Sequence, residues 1–237
     1  MKRHSKRFRK LVEPLDRLQA HRLDDAVKLV KANATAKFDE SVDVAVKLGI
    51  DPKKTDQLVS GTVSLPNGTG KQVRVLAICK GEKQDEAKAA GADFVGFEDV
   101  VEKITGGWFD FDVIVAAPDT MAAVGRLGKV LGPKGLMPSP KTQTVTFDIA
   151  QTVKSLKGGR IKYRTDKTGN VHALIGKASF DADKLAGNVR AFVGELVRAK
   201  PSSAKGQFLR SAVLSSTMGP GFRLDVREFT DTAKKEA

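Results

Sequence analysis

The sequence holds little of what chemistry on a protein needs. Its single cysteine, Cys79, excludes an internal disulfide and lies within the apolar run VRVLAIC, where a small buried side chain is expected. The three histidines, His4, His21 and His172, show no metal-ligand spacing with one another or with Cys79, so no metal site is expected. Aromatic residues make up 6% of the chain, with one Trp and one Tyr, and no pair of neighbouring strands carries the closely spaced rings of a base-stacking platform. No apolar run approaches the roughly 18 residues of a membrane span. The basic start is followed by LVEPLDRL, too polar for the core of a signal peptide. A cytoplasmic chain with no membrane partner is expected.

Nucleotide signatures also fall short. NGTGK looks like the end of a phosphate loop, but Leu65 and Gln72 stand where that loop needs Gly and Ser or Thr. No G-x-G-x-x-G follows the first strand of the central segment, which argues against a dinucleotide site. LGKVLGPKG offers backbone amides and two lysines to an anion, or equally a loop capping a helix. No catalytic triad or carboxylate pair can be argued from the spacing. No cofactor is expected, and a nucleotide- or anion-binding enzyme acting on nucleic acid is the weaker, alternative reading.

What the chain has is positive charge, unevenly placed. The formal net charge is +13, from 41 Lys+Arg against 28 Asp+Glu. Residues 1–66 carry 14 basic against 9 acidic groups and residues 160–237 carry 15 against 8, whereas residues 67–159 carry 12 against 11. If the two ends meet in space they form one basic body beside a nearly neutral one. Such a body suits a polyanion, because phosphate neutralisation releases counterions. With few aromatics, RNA recognition would lean on phosphate, 2′-hydroxyl and shape.

The patterning divides the chain at similar places. LDDAVKLVKANA predicts a helix that starts at Asp24 and Asp25. SVDVAVKL alternates Val42, Val44, Val46 and Leu48 with more polar positions, as a half-buried strand does, and LVSGTVSL is a second strand. From Lys71 onward strands alternate with helices: KQVRVLAIC, EKQDEAKAAG, ADFVG, FEDVVEKITGG, FDVIVAAP and DTMAAVGRLGKVLG. That order predicts a parallel sheet covered on both faces. Beyond Gly159 the pattern returns to amphipathic strands. RIKYR and VHALIGK flank TDKTGN as a hairpin, DKLAGNVRAFVGELVRAK is a helix ended by Pro201, and RSAVLSS and FRLDV are joined by the neutral loop SSTMGPG.

The fold class is therefore α/β with two domains. A discontinuous α+β domain, residues 1–66 and 160–237, has an antiparallel sheet built from both chain ends. A Rossmann-like α/β domain, residues 67–159, is inserted into it. Gly68, Gly70, Gly158 and Gly159 mark the two crossings as a hinge.

The segments ATAKFDESVDVAVKLGIDP, GTVSLPNGTGKQVRVLA, LGPKGLMPSPK, GRIKYRTDKTGNVHALIGKASF and SSTMGPG, in this order and spacing, closely resemble the bacterial L-one family of large-subunit ribosomal proteins. The resemblance covers nearly the whole chain. It departs at PKTQTV, where Gln143 stands in place of an expected glycine. It implies two domains joined by a hinge and a non-enzymatic protein on the ribosome in the cytoplasm, monomeric when off it. The implied partners are large-subunit (23S) rRNA, exit-site tRNA, the protein's own operon mRNA, whose translation it represses, and other ribosomal components. The implied RNA-binding residues are Lys37, Phe38 and Ser41 on one loop and Thr217, Met218 and Gly219 on a second. Asp166, Lys167 and Thr168 form a third turn near that surface, with Ser211, and the N-terminal arm adds Arg3, Lys6 and Arg7. On this reading Lys37 pairs with phosphate, Phe38 packs on sugar or base, and the Ser41 and Thr217 hydroxyls meet 2′-OH groups.

Overall fold

The computed structural model describes residues 5–13, 15–16, 19–81 and 83–229. The described chain forms two compact units, one from the residues up to Gly70 together with those from Ile161 onward, the other Lys71–Arg160.

The first unit is a five-stranded mixed sheet with two helices on one face. Its strands run in the order β1 (Ala20–His21), β10 (Gly221–Leu224), β9 (Leu209–Ser216), β2 (Ser41–Leu48), β8 (Asn170–Lys177). All neighbours are antiparallel except the short β1, which runs parallel to β10. The alternation in β2 does what its pattern requires: Val42, Val44, Val46 and Leu48 are buried, while the residues between them are not. Against that face lie α2 (Leu23–Asn33) and α8 (Ala182–Arg198). α2 buries Leu23, Ala26, Val27 and Val30, a helical stripe, and opens on Asp24 and Asp25, which complement the helix dipole. α8 buries Leu185, Val189, Phe192, Val193 and Leu196. α1 (Lys6–Val12) is capped by the Ser5 hydroxyl, which accepts from the Phe8 amide at 3.3 Å.

TDKTGN does not close a regular hairpin. β7 (Arg160–Arg164) pairs with β3 (Ser60–Ser64) in a separate two-stranded sheet; toward β8 the turn is closed by the isolated bridge Thr165 to Val171 and by the Asp166 amide, which donates to the Asn170 carbonyl at 2.8 Å. The cause is Thr165, whose amide donates to the Val59 carbonyl at 2.9 Å while its hydroxyl accepts from the Val59 amide at 3.0 Å. Tyr163 then packs edge-on to Phe192, with ring centroids 5.8 Å apart, and holds β7 to α8.

The second unit is a parallel sheet, β5 (Phe94–Gly96), β4 (Val75–Ile78), β6 (Val113–Ala116). β4 is fully buried and divides two small cores. Leu76 and Ile78 face α4 (Glu98–Thr105), α5 (Met121–Arg126) and α6 (Gly128–Leu131); Val75 and Ala77 face α3 (Lys83–Ala89) and α7 (Ile149–Lys157). DTMAAVGRLGKVLG is two short helices rather than one. Cys79 is fully buried, and burial pushes its thiol up, so it is inert packing. Gln143 has φ 51°, alone among the described non-glycine residues in positive φ, which explains why a glycine suits that position.

Candidate nucleic-acid interface

The register of the sheet decides which expected residues meet. Ser41 lies opposite Lys177, and Val42 lies opposite Ser216. The loop entering β2, residues 34–40, and the loop leaving β9, residues 217–220, therefore emerge side by side at one end of the sheet. Lys37, Phe38 and Ser41 sit at this end with Thr217, Met218 and Gly219.

The two loops are bonded to each other at the backbone. The Thr217 hydroxyl accepts from the Ser41 amide at 2.9 Å and donates to the Ser41 carbonyl at 3.2 Å. The Thr217 amide donates to the same carbonyl at 3.0 Å. The Ser41 hydroxyl accepts from Lys177 Nζ at 3.0 Å. These hydroxyls were expected to face 2′-OH groups; each already has a protein partner, and Thr217 works first as a clasp. A third segment joins through Asp39, which accepts from the Ser179 amide at 3.1 Å and hydroxyl at 2.9 Å. Gly219 leaves no room for a side chain, since an added Cβ would lie 2.4 Å from Ser216 Oγ.

Above this bonded base two large apolar side chains stand in solvent, Phe38 at 55% and Met218 at 49% exposed. Lys37 beside them is also exposed. The arm arrives on α1, where Lys6, Arg9 and Lys10 are exposed. Arg7 is engaged: its guanidinium donates to the Thr35 hydroxyl at 2.9 Å and to the Met218 carbonyl at 2.8 Å, one bond to each loop. Arg3 lies outside the described residues.

The third turn is not beside these loops. Lys47, at the far end of β2, lies opposite both Asn170 and Ser211. Asp166, Lys167, Thr168 and Ser211 thus sit about 20 Å from Ser41, at about 3.3 Å per strand residue. They are linked to it by the helix-free face of the sheet, where Asp43, Ala45, Lys47, His172, Leu174, Ser211, Val213 and Ser215 are all half-buried or exposed. Asp166 shapes that turn. Its carboxylate accepts from the amides of Asn170 at 2.7 Å and Thr168 at 2.8 Å, and from the Thr168 hydroxyl. These bonds, the Asn170 amide first, stabilise the ionised carboxylate and hold its pKa well below the usual carboxylate range. Lys167 and Thr168 are exposed.

The glycines expected to form the hinge are each held within one unit. Gly68 accepts from Asn188 Nδ2 at 2.9 Å, and a Cβ on Gly70, at φ +72°, would touch Phe180 and Lys177 at 3.0 Å. Gly158 and Gly159 close α7 through amide bonds to Lys154 and Leu156.

A model of the ribosomal protein L1p/L10e family matches residues 30–220, a span that includes both loops, the third turn and the bare sheet face. The chain belongs to this family. It is 56% identical over 226 residues to the large ribosomal subunit protein uL1 of Thermus thermophilus, covering 95% of this chain and 99% of that one. It is 56% identical over 225 residues to the protein of the same name from Corynebacterium glutamicum, with 95% of each covered.

Sequence reasoning missed Glu40. It is 1% exposed and joins the two loops through its carboxylate, with Oε1 accepting from the Ala36 amide and Oε2 from the Met218 amide, each at 2.9 Å. In KFDES it reads as one more loop acid, and its partner is 178 residues away. Asn188, buried within α8, was missed for the same reason.

Proposed function

We propose that this chain is a constituent of the large ribosomal subunit, as its relatives' names say of them, and that it binds large-subunit rRNA through the unit formed by its two ends. The carrying observation is the pair of bonded loops: Phe38 and Met218 stand exposed on a base whose polar groups are tied together. Exposed apolar side chains on an ordered scaffold suit a partner with apolar faces among its polar groups, as sugars and bases have. The basic excess of residues 1–66 and 160–237 supplies sequence-independent attraction. The bare sheet face gives the partner a track toward Lys167, Thr168 and Ser211. The L-one resemblance supports the rest of the reading: the chain acts on the ribosome in the cytoplasm, takes part in release of deacylated tRNA from the exit site, represses its own operon mRNA, and is a monomer when off the ribosome.

Footprinting on intact large-subunit rRNA tests the reading. One contiguous protected region is expected, persisting against excess unrelated RNA. Protection that the unrelated RNA abolishes would leave only polyanion attraction and overturn the proposal.

A further inference from the structure

We propose that Glu40 is the positioning residue of this surface, a buried carboxylate that fixes the two loops relative to each other and so sets specific RNA affinity without touching RNA. The inference rests on the RNA-binding reading above.

The geometry gives each carboxylate oxygen to a different loop. Oε1 holds the Ala36 amide within the first loop, and Oε2 holds the Met218 amide of the second. The Glu40 backbone is itself fixed, its carbonyl accepting from the Ala178 amide at 2.8 Å. Met218 is gripped from both sides, its N–H by Glu40 and its carbonyl by Arg7 at 2.8 Å. Its exposed side chain therefore projects from a backbone with little freedom, next to the loop that carries Phe38.

The chemistry of the site selects a carboxylate. Both loop donors are backbone N–H groups, so the bridging side chain must accept twice and donate nowhere. Glutamine offers one oxygen and an NH₂ group, which would confront one amide with another donor. Aspartate is one methylene shorter and cannot span both amides from the same backbone. Burial alone would raise the acid's pKa. The Ser216 hydroxyl, buried short of full hydrogen-bond geometry, the two amides and the charge of Arg7 outweigh it and hold the carboxyl below its ordinary range. Two amide donors, one on each oxygen, match the ionised form of the acid. A buried ionised acid held by loop amides adds nothing to attraction for a polyanion. Its contribution to binding is order: loops already fixed lose less freedom when the partner arrives.

Positioning and simple structural support predict different data. Glu40→Gln is expected to bind the rRNA fragment protected by the wild-type chain about 10–100-fold more weakly, the scale of a buried polar group left unpaired. Its affinity for heparin, and the slope of log K against log salt on the fragment, are expected to match wild type, since no phosphate contact is removed. Hydrogen exchange at the Met218 amide should accelerate while that of the β2 amides stays slow. Glu40→Asp, keeping the charge and one amide bond, should fall between wild type and glutamine; if the glutamine variant does not fold, the aspartate variant is read by the same split. Wild-type affinity in Glu40→Gln, an equal loss toward heparin, or a salt slope shifted by about one unit would each overturn the assignment. A wild-type chain that prefers the fragment no more than unrelated RNA would instead defeat the RNA reading itself, and the positioning role with it.

Discussion

Asn188→Leu is expected to destabilise the unit built from the two chain ends by about 2–4 kcal/mol, the cost of leaving several buried polar groups unpaired. Asn188 is fully buried on α8 and uses both ends of its amide. Nδ2 donates to the carbonyls of Ile175 at 2.8 Å and Gly68 at 2.9 Å, and Oδ1 accepts from the Asn67 amide at 3.0 Å. Leucine fits the volume and answers none of these groups. The two units carry separate optical probes, because Trp108, the one tryptophan, packs against Phe94 and Phe111 in the second unit. In urea, the far-ultraviolet dichroism of the variant should acquire an early transition while the Trp108 fluorescence midpoint stays where it is in wild type. Midpoints that fall together would show that the amide supports the whole chain rather than the first unit.

Thr217→Val is expected to weaken binding to the rRNA fragment by about 10–100-fold, or about 1–3 kcal/mol, while changing the stability of the free protein much less. Valine keeps the shape of threonine and removes the hydroxyl that accepts from the Ser41 amide. The clasp is exposed in the free protein, so water can take the hydroxyl's place there. A bound RNA strips that water, and the unpaired amide is then charged to the complex. Thr217→Ser retains the hydroxyl and should bind within a few-fold of wild type. Equal affinity in the valine and serine variants would show that the clasp plays no part in recognition.

Period and turn chemistry were legible from single residues onward. The alternation of Val42, Val44, Val46 and Leu48 marked a strand with one buried face, and Leu23, Ala26, Val27 and Val30 marked the helix stripe above it. The L-one resemblance, not the local pattern, set a glycine where Gln143 stands, and the residue is left-handed there. Long-range pairing was not legible. Nothing local to TDKTGN shows that Thr165 is bound to Val59, 106 residues earlier, and that β7 leaves the hairpin to join β3. α7 was not among the predicted elements, although Ile149, Val153 and Leu156 repeat at helical spacing.

The candidate site shows the same division. Loops that carry hydroxyls beside strand ends, TAKFDES before β2 and SSTMGPG between β9 and β10, could be singled out by composition. Their adjacency depends on the β2–β9 register, and so does the separation of the Asp166 turn from them. Glu40 and Asn188 could not be told from surface residues, because burial is a property of what the remote chain brings. SSTMGPG remains the neutral member of a basic body, with its hydroxyl and amides turned inward on Ser41 and Glu40 and its Met218 side chain turned outward.

The central claim is that the two chain ends alone make the RNA surface. The first unit has a hydrophobic core of its own, and the chain leaves it after β3 and returns through β7, the strand paired with β3. A protein in which residues 1–70 are fused to 161–237 through a short glycine linker should fold and bind the protected rRNA fragment within about tenfold of the full chain, roughly 1.4 kcal/mol. A fusion that folds, with native dichroism and a cooperative transition, but does not bind the fragment would contradict the assignment of the surface to this unit.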